Sequence, residues 1–207
     1  MNDHNTINHQ EKLVEHIKRC YHAYRHTQDI DRKGLFFSPS CMQICRTTPS
    51  YSATSREEIV QYLKDAQKGD IPLEQDLNGS ENVEDSSQTV SNVKVSLGVY
   101  TIRPLRASEC DFGDGAVTSP VHLTPNELKA RATEQNWVGM RVDLWDEGVG
   151  QGLLVKVQYW WRLETIPDDE RLESDTSDKN WRQCLHDIMY IGPRDGTEGA
   201  GGLQILQ

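Results

Sequence analysis

Apolar and polar side chains alternate almost without interruption through GLLVKVQYWWRLE, residues 152–164. Val155, Val157, Tyr159, Trp161 and Leu163 fall on one side, and Lys156, Gln158, Trp160, Arg162 and Glu164 on the other. A period of two is the signature of a strand, and this one exceeds the usual length of about five or six residues. Val138, Met140, Val142 and Leu144 repeat the pattern and predict a strand near 137–146. Val93, Val95, Leu97 and Val99 do the same from about residue 93. A short strand is expected at 41–46 and a last one at about 180–191.

Helical spacing marks other segments. Leu13, Ile17, Cys20, Tyr21 and Tyr24 lie on one stripe and predict a helix over about 10–28. DIDRKGLF, 29–36, reads as a turn with a short second helix. Ser55 and Glu58 form a capping box ahead of Ile59, Tyr62, Leu63 and Ala66, so a third helix runs to about 67. Thr124, Pro125 and Glu127 supply cap, first-turn proline and capping-box acid for a short helix. Residues 106–123 read as a loop.

Helices followed by a mostly antiparallel run of strands imply an α+β fold with the helices on one face of the sheet. A long sheet twists, and bulges let it curl. With helices across its open side it becomes a cone, whose apolar stripe fills the interior or lines a pocket. A single domain over 10–192 is expected, with a disordered arm at 1–9, an acidic mobile insertion at about 70–92 and a flexible tail at 193–207. The insertion contains no Lys or Arg.

The net charge of −10 changes the range of functions. Nucleic-acid binding needs a basic stripe, and there is none. No stretch approaches the ~20 apolar residues of a membrane span, and the first residues carry no apolar signal core. A cytoplasmic protein is therefore expected. Its five cysteines are odd in number and scattered, which suits reduced thiols. The glycine-rich stretch 192–202 lacks the lysine and following helix of a phosphate loop.

Three segments carry a resemblance: AYRHTQDIDRKGLFFSPSCMQIC at 23–45, SREEIVQYL at 55–63, and the strand pair ending VQYWWRLE and NWRQCLHDIMYIG. In this pattern the chain resembles the nuclear-transport-factor-2-like superfamily, the cone fold that includes SnoaL-like cyclases and scytalone dehydratase. The resemblance covers roughly residues 10–68 and 90–192. It implies a cone-shaped α+β barrel that binds a small apolar or aromatic ligand. It also implies a possible catalytic form: a cofactor-independent cyclase or isomerase acting on an aromatic or polycyclic metabolite. The dehydratase's own equipment is missing, because its paired residues on the first helix fall on Arg25 and His26, and its long-strand polar positions on Val155 and Val157. The competing reading is a non-catalytic homodimeric module that binds a ligand or a partner protein.

Candidate chemistry follows from the alternation and the resemblance together. Asp187 shares a face with Trp181, Leu185 and Met189, so it is expected inside the cone as the acid–base group. A register shifted by one would bring His186 inward instead. His26 is the second catalytic candidate, brought inward only by the family comparison. Tyr24, Val155, Val157, Tyr159, Trp161 and Met189 are the expected ligand-binding set. Trp160 and Arg162, on the outer face, are expected in a homodimer interface. His22 and His26 sit one helical turn apart without a third ligand at a suitable spacing, so neither a metal nor a cofactor is expected.

Overall fold

The structure is a computed structural model that describes residues 3–68, 99–145, 153–172, 177–198 and 205–206. Helix α1 spans Asp3–His26 and α2 spans Ile30–Gly34. Strand β1 (Phe37–Cys45) leads to α3 (Arg56–Lys68). After β2 (Val99–Pro104) come the short helices α4 (Gly115–Thr118) and α5 (Pro125–Glu134). The chain then forms β3 (Val138–Trp145), β4 (Leu153–Thr165), β5 (Lys179–Pro193) and the brief β6 (Ile205–Leu206). The expected insertion at 70–92, and Val93, Val95 and Leu97 of the expected strand, lie outside the described residues.

The strands make one six-stranded sheet in the order β1-β5-β4-β3-β2-β6. Only the β1–β5 pairing is parallel. This is the α+β cone expected from the sequence. Two margins differ. The first helix starts at Asp3, inside the segment expected to be an arm; residues 3–26 contain no Gly or Pro to stop it. Within the expected tail, Ile205 and Leu206 pair with Thr101 and Tyr100.

Helix α1 lies across the inner face. Its stripe of Ile17, Tyr21 and Tyr24 is buried as the spacing predicts. The Tyr21 ring sits 5.3 Å from that of Tyr100 and 5.2 Å from that of Tyr159. The helix starts use their predicted caps. Thr124 Oγ1 accepts from the Glu127 amide at 3.2 Å, and the Glu127 carboxylate accepts from the Thr124 amide at 2.7 Å. Ser55 Oγ likewise accepts from the Glu58 amide, while the Glu58 carboxylate reaches one residue further back, to Thr54.

The outer face is not bare. The segment between β2 and β3 folds back over it, and Phe112, Val121, Leu128 and Trp137 form a second core with Met42, Ile44, Trp160, Cys184 and Leu185. Gly139 pairs with Trp160 across the β3–β4 ladder. A Cβ there would stand 2.4 Å from Leu105 Cδ1 and 3.0 Å from the Trp160 ring, so glycine is what lets this layer seat.

Candidate functional site

Between the inner face, the C-terminal half of α1 and helix α3 the packing opens into a cavity of about 300 Å³. That volume lies at the lower end of the range for small-molecule sites. Val155, Val157 and Tyr159 of β4 make one wall, Tyr24 of α1 another, and Ile59 and Tyr62 of α3 a third. Four of the expected ligand-binding residues therefore line one hollow. The described polar side chains that reach it include Arg25, Gln43 and His186, and no Asp or Glu is among its lining residues. Gln43 is held in place by donating from Nε2 to the Tyr51 carbonyl at 2.7 Å.

His186 comes inward because β5 is irregular. The β4–β5 register shifts between Trp160 and Trp161, whose partners are Leu185 and Gln183, so Cys184 is a bulge. One extra residue moves every following side chain to the opposite face. His186 then pairs with Tyr159 and Ile188 with Val157 on the inner side. The imidazole is 4% exposed, with the rings of Phe37 and Tyr159 each 4.9 Å away, edge-on. Its Nε2 is buried and has no hydrogen-bond partner among the described residues. Burial pushes its pKa down to about 3, so the ring is neutral at pH 7.

The same bulge overturns the placement of Asp187. It lies on the outer side, opposite Gln158, fully buried and away from the cavity. Arg46 grips it at two points, Nε to Oδ1 at 2.9 Å and Nη2 to Oδ2 at 2.6 Å. Arg46 also donates to the Asp111 carboxylate and carbonyl, at 3.0 and 2.9 Å. Burial lifts the Asp187 carboxyl above its ordinary value and Arg46 pulls it part of the way back. The two-point contact is that of an ion pair. Asp187 thus clamps β5 to the end of β1 and to the outer layer. Met189 also leaves the expected wall: the register shifts again beside it, and its sulfur accepts from Arg141 Nη1 at 2.9 Å.

The remaining candidates divide. Helix α1 runs unbroken to His26, so nothing turns that side chain inward. It is exposed, and its Nδ1 is 2.9 Å from the His22 carbonyl. His22 in turn meets the Tyr100 hydroxyl at 2.8 Å, outside the cavity lining. Trp161 faces inward but is fully packed in the core rather than open to the hollow. Trp160, expected in a homodimer interface, is 5% exposed, with Phe112 at 4.9 Å and Trp137 at 6.4 Å. Its place on the outer face is taken by this chain's own residues. Arg162 is likewise engaged, with Glu164, Gln135 and Ser38.

Three polar residues of the cavity stand outside the site set expected from the sequence: Gln43, Arg25 and His186. His186 was held only as an alternative, because a bulge has no compositional mark. Arg25 was noted for its place in the family comparison but not as a site residue, since an arginine near a helix end reads as a solvated face. Its Nε is buried without a hydrogen-bond partner, and it is set among Tyr21, Tyr24, Tyr159 and Tyr100. No helix among the described residues is long and apolar enough to cross a membrane.

A family model described as a SnoaL-like domain matches residues 6–207. No curated protein and no solved structure matches the chain.

Proposed function

This chain belongs to the SnoaL-like domain family, within the nuclear-transport-factor-2-like superfamily, and on that premise we propose that its cone binds a ring-bearing metabolite and acts as a cofactor-independent isomerase or cyclase. The observation that carries the reading is His186: a titratable ring, buried beside the cavity, whose Nε2 has no partner among the described residues. A buried polar atom left unpaired is costly, at about 1–3 kcal/mol, and a ligand that bonds to it removes that cost.

Tyr24, Val155, Val157 and Tyr159 hold the ring of the ligand by shape and apolar contact. His186 takes a proton from a carbon beside a carbonyl, the C–H electrons passing to the carbonyl oxygen as an enolate. Where a carbon–carbon double bond flanks that carbon, the enolate extends over it, and the imidazolium returns the proton to the far end of the double bond, which moves into conjugation with the carbonyl. In the empty cavity the imidazole is a weak base. An enolate formed beside it favours the charged ring and lifts its pKa toward the working range. Confinement supplies the remaining advantage, because a flexible precursor is held in one reacting shape.

The test uses 2-tetralone, a bicyclic ketone with acidic C–H bonds, in deuterated buffer followed by NMR. The wild type should exchange its α-hydrogens at least about tenfold faster than buffer alone. His186→Gln should exchange at the buffer rate. Val157→Trp should do the same by filling the cavity. Binding of 2-tetralone without exchange would leave the second reading, a ligand-binding module without catalysis. That reading draws on the absence of a carboxylate from the described cavity walls.

A further inference from the structure

Arg46, Arg56, Arg103, Arg141 and Arg162 are all largely buried, and each meets a carboxylate: Asp187, Glu170, Glu109, Asp143 and Glu164. Arg25 is also largely withdrawn from water, yet no described carboxylate pairs with it, and its Nε is sealed without a partner. It borders the cavity, whose lining contains no acid, in a chain with 32 acidic residues against 22 Lys and Arg. A second cation stands near. Lys33 Nζ lies 5.4 Å from the centroid of the Tyr24 ring, on the residue that forms the cavity wall. Burial, and then the charge of Arg25, hold Lys33 below its ordinary pKa. The α1–α2 corner thus aims positive charge with no described counter-charge at the hollow walled by Tyr24, Val155 and Tyr159.

A guanidinium that is desolvated and unpaired is a poor arrangement for stability and a good one for capturing an anion. Its fork matches the two oxygens of a carboxylate, and a low-dielectric wall strengthens the attraction. Resting on the cavity reading above, we propose that Arg25 is a specificity-determining residue and that the ligand carries an anionic oxygen, a carboxylate or the enolate of a ring ketone, placed against its guanidinium. The neutral His186 at the same hollow fits this assignment. An anionic oxygen can accept from a neutral imidazole N–H, whereas a cationic ligand would face Arg25 with no counter-charge among the lining residues. The ring portion of the ligand then lies along Val155, Val157 and Tyr159.

The experiment is a titration calorimetry comparison of 2-naphthoate with 2-naphthamide, of nearly equal shape and differing in charge, at pH 7. The wild type should bind the carboxylate at least about tenfold more tightly than the amide. Arg25→Gln should bring the two affinities within about twofold of each other while leaving the amide's unchanged. Arg25→Lys, which keeps the charge and loses the fork, should retain part of the preference. It stands in if the glutamine variant fails to fold, because a lysine that binds the carboxylate no better than the amide would contradict simple charge pairing at this position. Equal affinity of the wild type for the two compounds would overturn the assignment to Arg25 and leave the cavity reading standing. Failure of both compounds to bind would overturn the cavity itself. A preference that survives Arg25→Gln would place the anion elsewhere.

Discussion

His186 and Asp187 are neighbours in sequence, both buried and both titratable, and they lie on opposite sides of one strand. Asp187, on the outer side, meets Arg46 at two points, and Arg46 meets Asp111. His186, on the inner side, meets ring edges and a hollow. The arginines repeat the contrast: Arg46 is saturated and Arg25 is not. The outer face neutralises the buried charge of Asp187 and fixes the strands in place. The inner face opens into the cavity, with the unpaired His186 Nε2 and Arg25 Nε on two residues that line it. Burial and charge alone do not separate a structural residue from a functional one. What sets His186 apart from other buried groups without a partner among the described residues, such as Gln158 Oε1 and Trp160 Nε1, is that it also opens onto the cavity.

The contrast can be attacked first on the outer side. Trp160→Ala should cost about 3–5 kcal/mol in urea unfolding, the usual loss for a large aromatic removed from a core. The sedimenting mass should stay as in the wild type. A change of mass with little loss of stability would restore Trp160 to an interface between copies.

Asp187→Ala should cost about 3 kcal/mol, because Arg46 loses its buried counter-charge and keeps only Asp111. Naphthoate binding should change less than about twofold. Normal stability with lost binding would mean that the two faces do not divide the labour as described.

Acid sharpens the inner side. The folded pKa of His186, about 3, lies below its ordinary value of 6.5, so the unfolded chain binds the extra proton more readily. The stability owed to the neutral ring is complete above about pH 6.5. It is lost as the pH falls from there toward about 3, by up to about 1.4 kcal/mol per pH unit. The wild type should show that additional slope relative to His186→Gln, measured by unfolding midpoints at several pH values. Parallel slopes in the two proteins would mean that the ring is solvated.

The smallest effect is expected from His186→Phe. An apolar ring of similar size leaves no unpaired nitrogen, so stability should move by less than about 1 kcal/mol in either direction. Exchange of 2-tetralone should nevertheless fall to the buffer rate. A loss of several kcal/mol would mark His186 as a structural residue.

The sequence made the sheet legible wherever the period of two is unbroken. Val155, Val157 and Tyr159 were assigned to the cavity wall from alternation alone and line it. Alternation failed at β5, because Cys184 and Met189 drop out of the pairing while looking like ordinary strand residues. It failed again for Trp160: an indole on the outer face reads as exposed unless residues 105–137 are known to cover it, and their short helices carry too little periodicity to say so. Arg25 was hidden for a different reason. A helical stripe gives the side that packs, but not where the neighbouring sheet falls away from it.

The pairing slips twice along β5, beside Cys184 and beside Met189. Between the slips the even-numbered residues His186 and Ile188 face inward; before and after them the odd-numbered Gln183 and Ile191 do, opposite Trp161 and Val155. The strand therefore behaves like a text with one frameshift and a second that restores the frame. Substitution can alter the letter at the cavity but cannot choose which letter is read there. Flattening both bulges at constant length would set Asp187 opposite Val157 and His186 opposite Gln158, exchanging the inward histidine for the aspartate and leaving both ends of the strand in phase. A lineage built on this sheet can replace its inward titratable group by gaining or losing this pair of bulges, with positions 186 and 187 themselves unchanged.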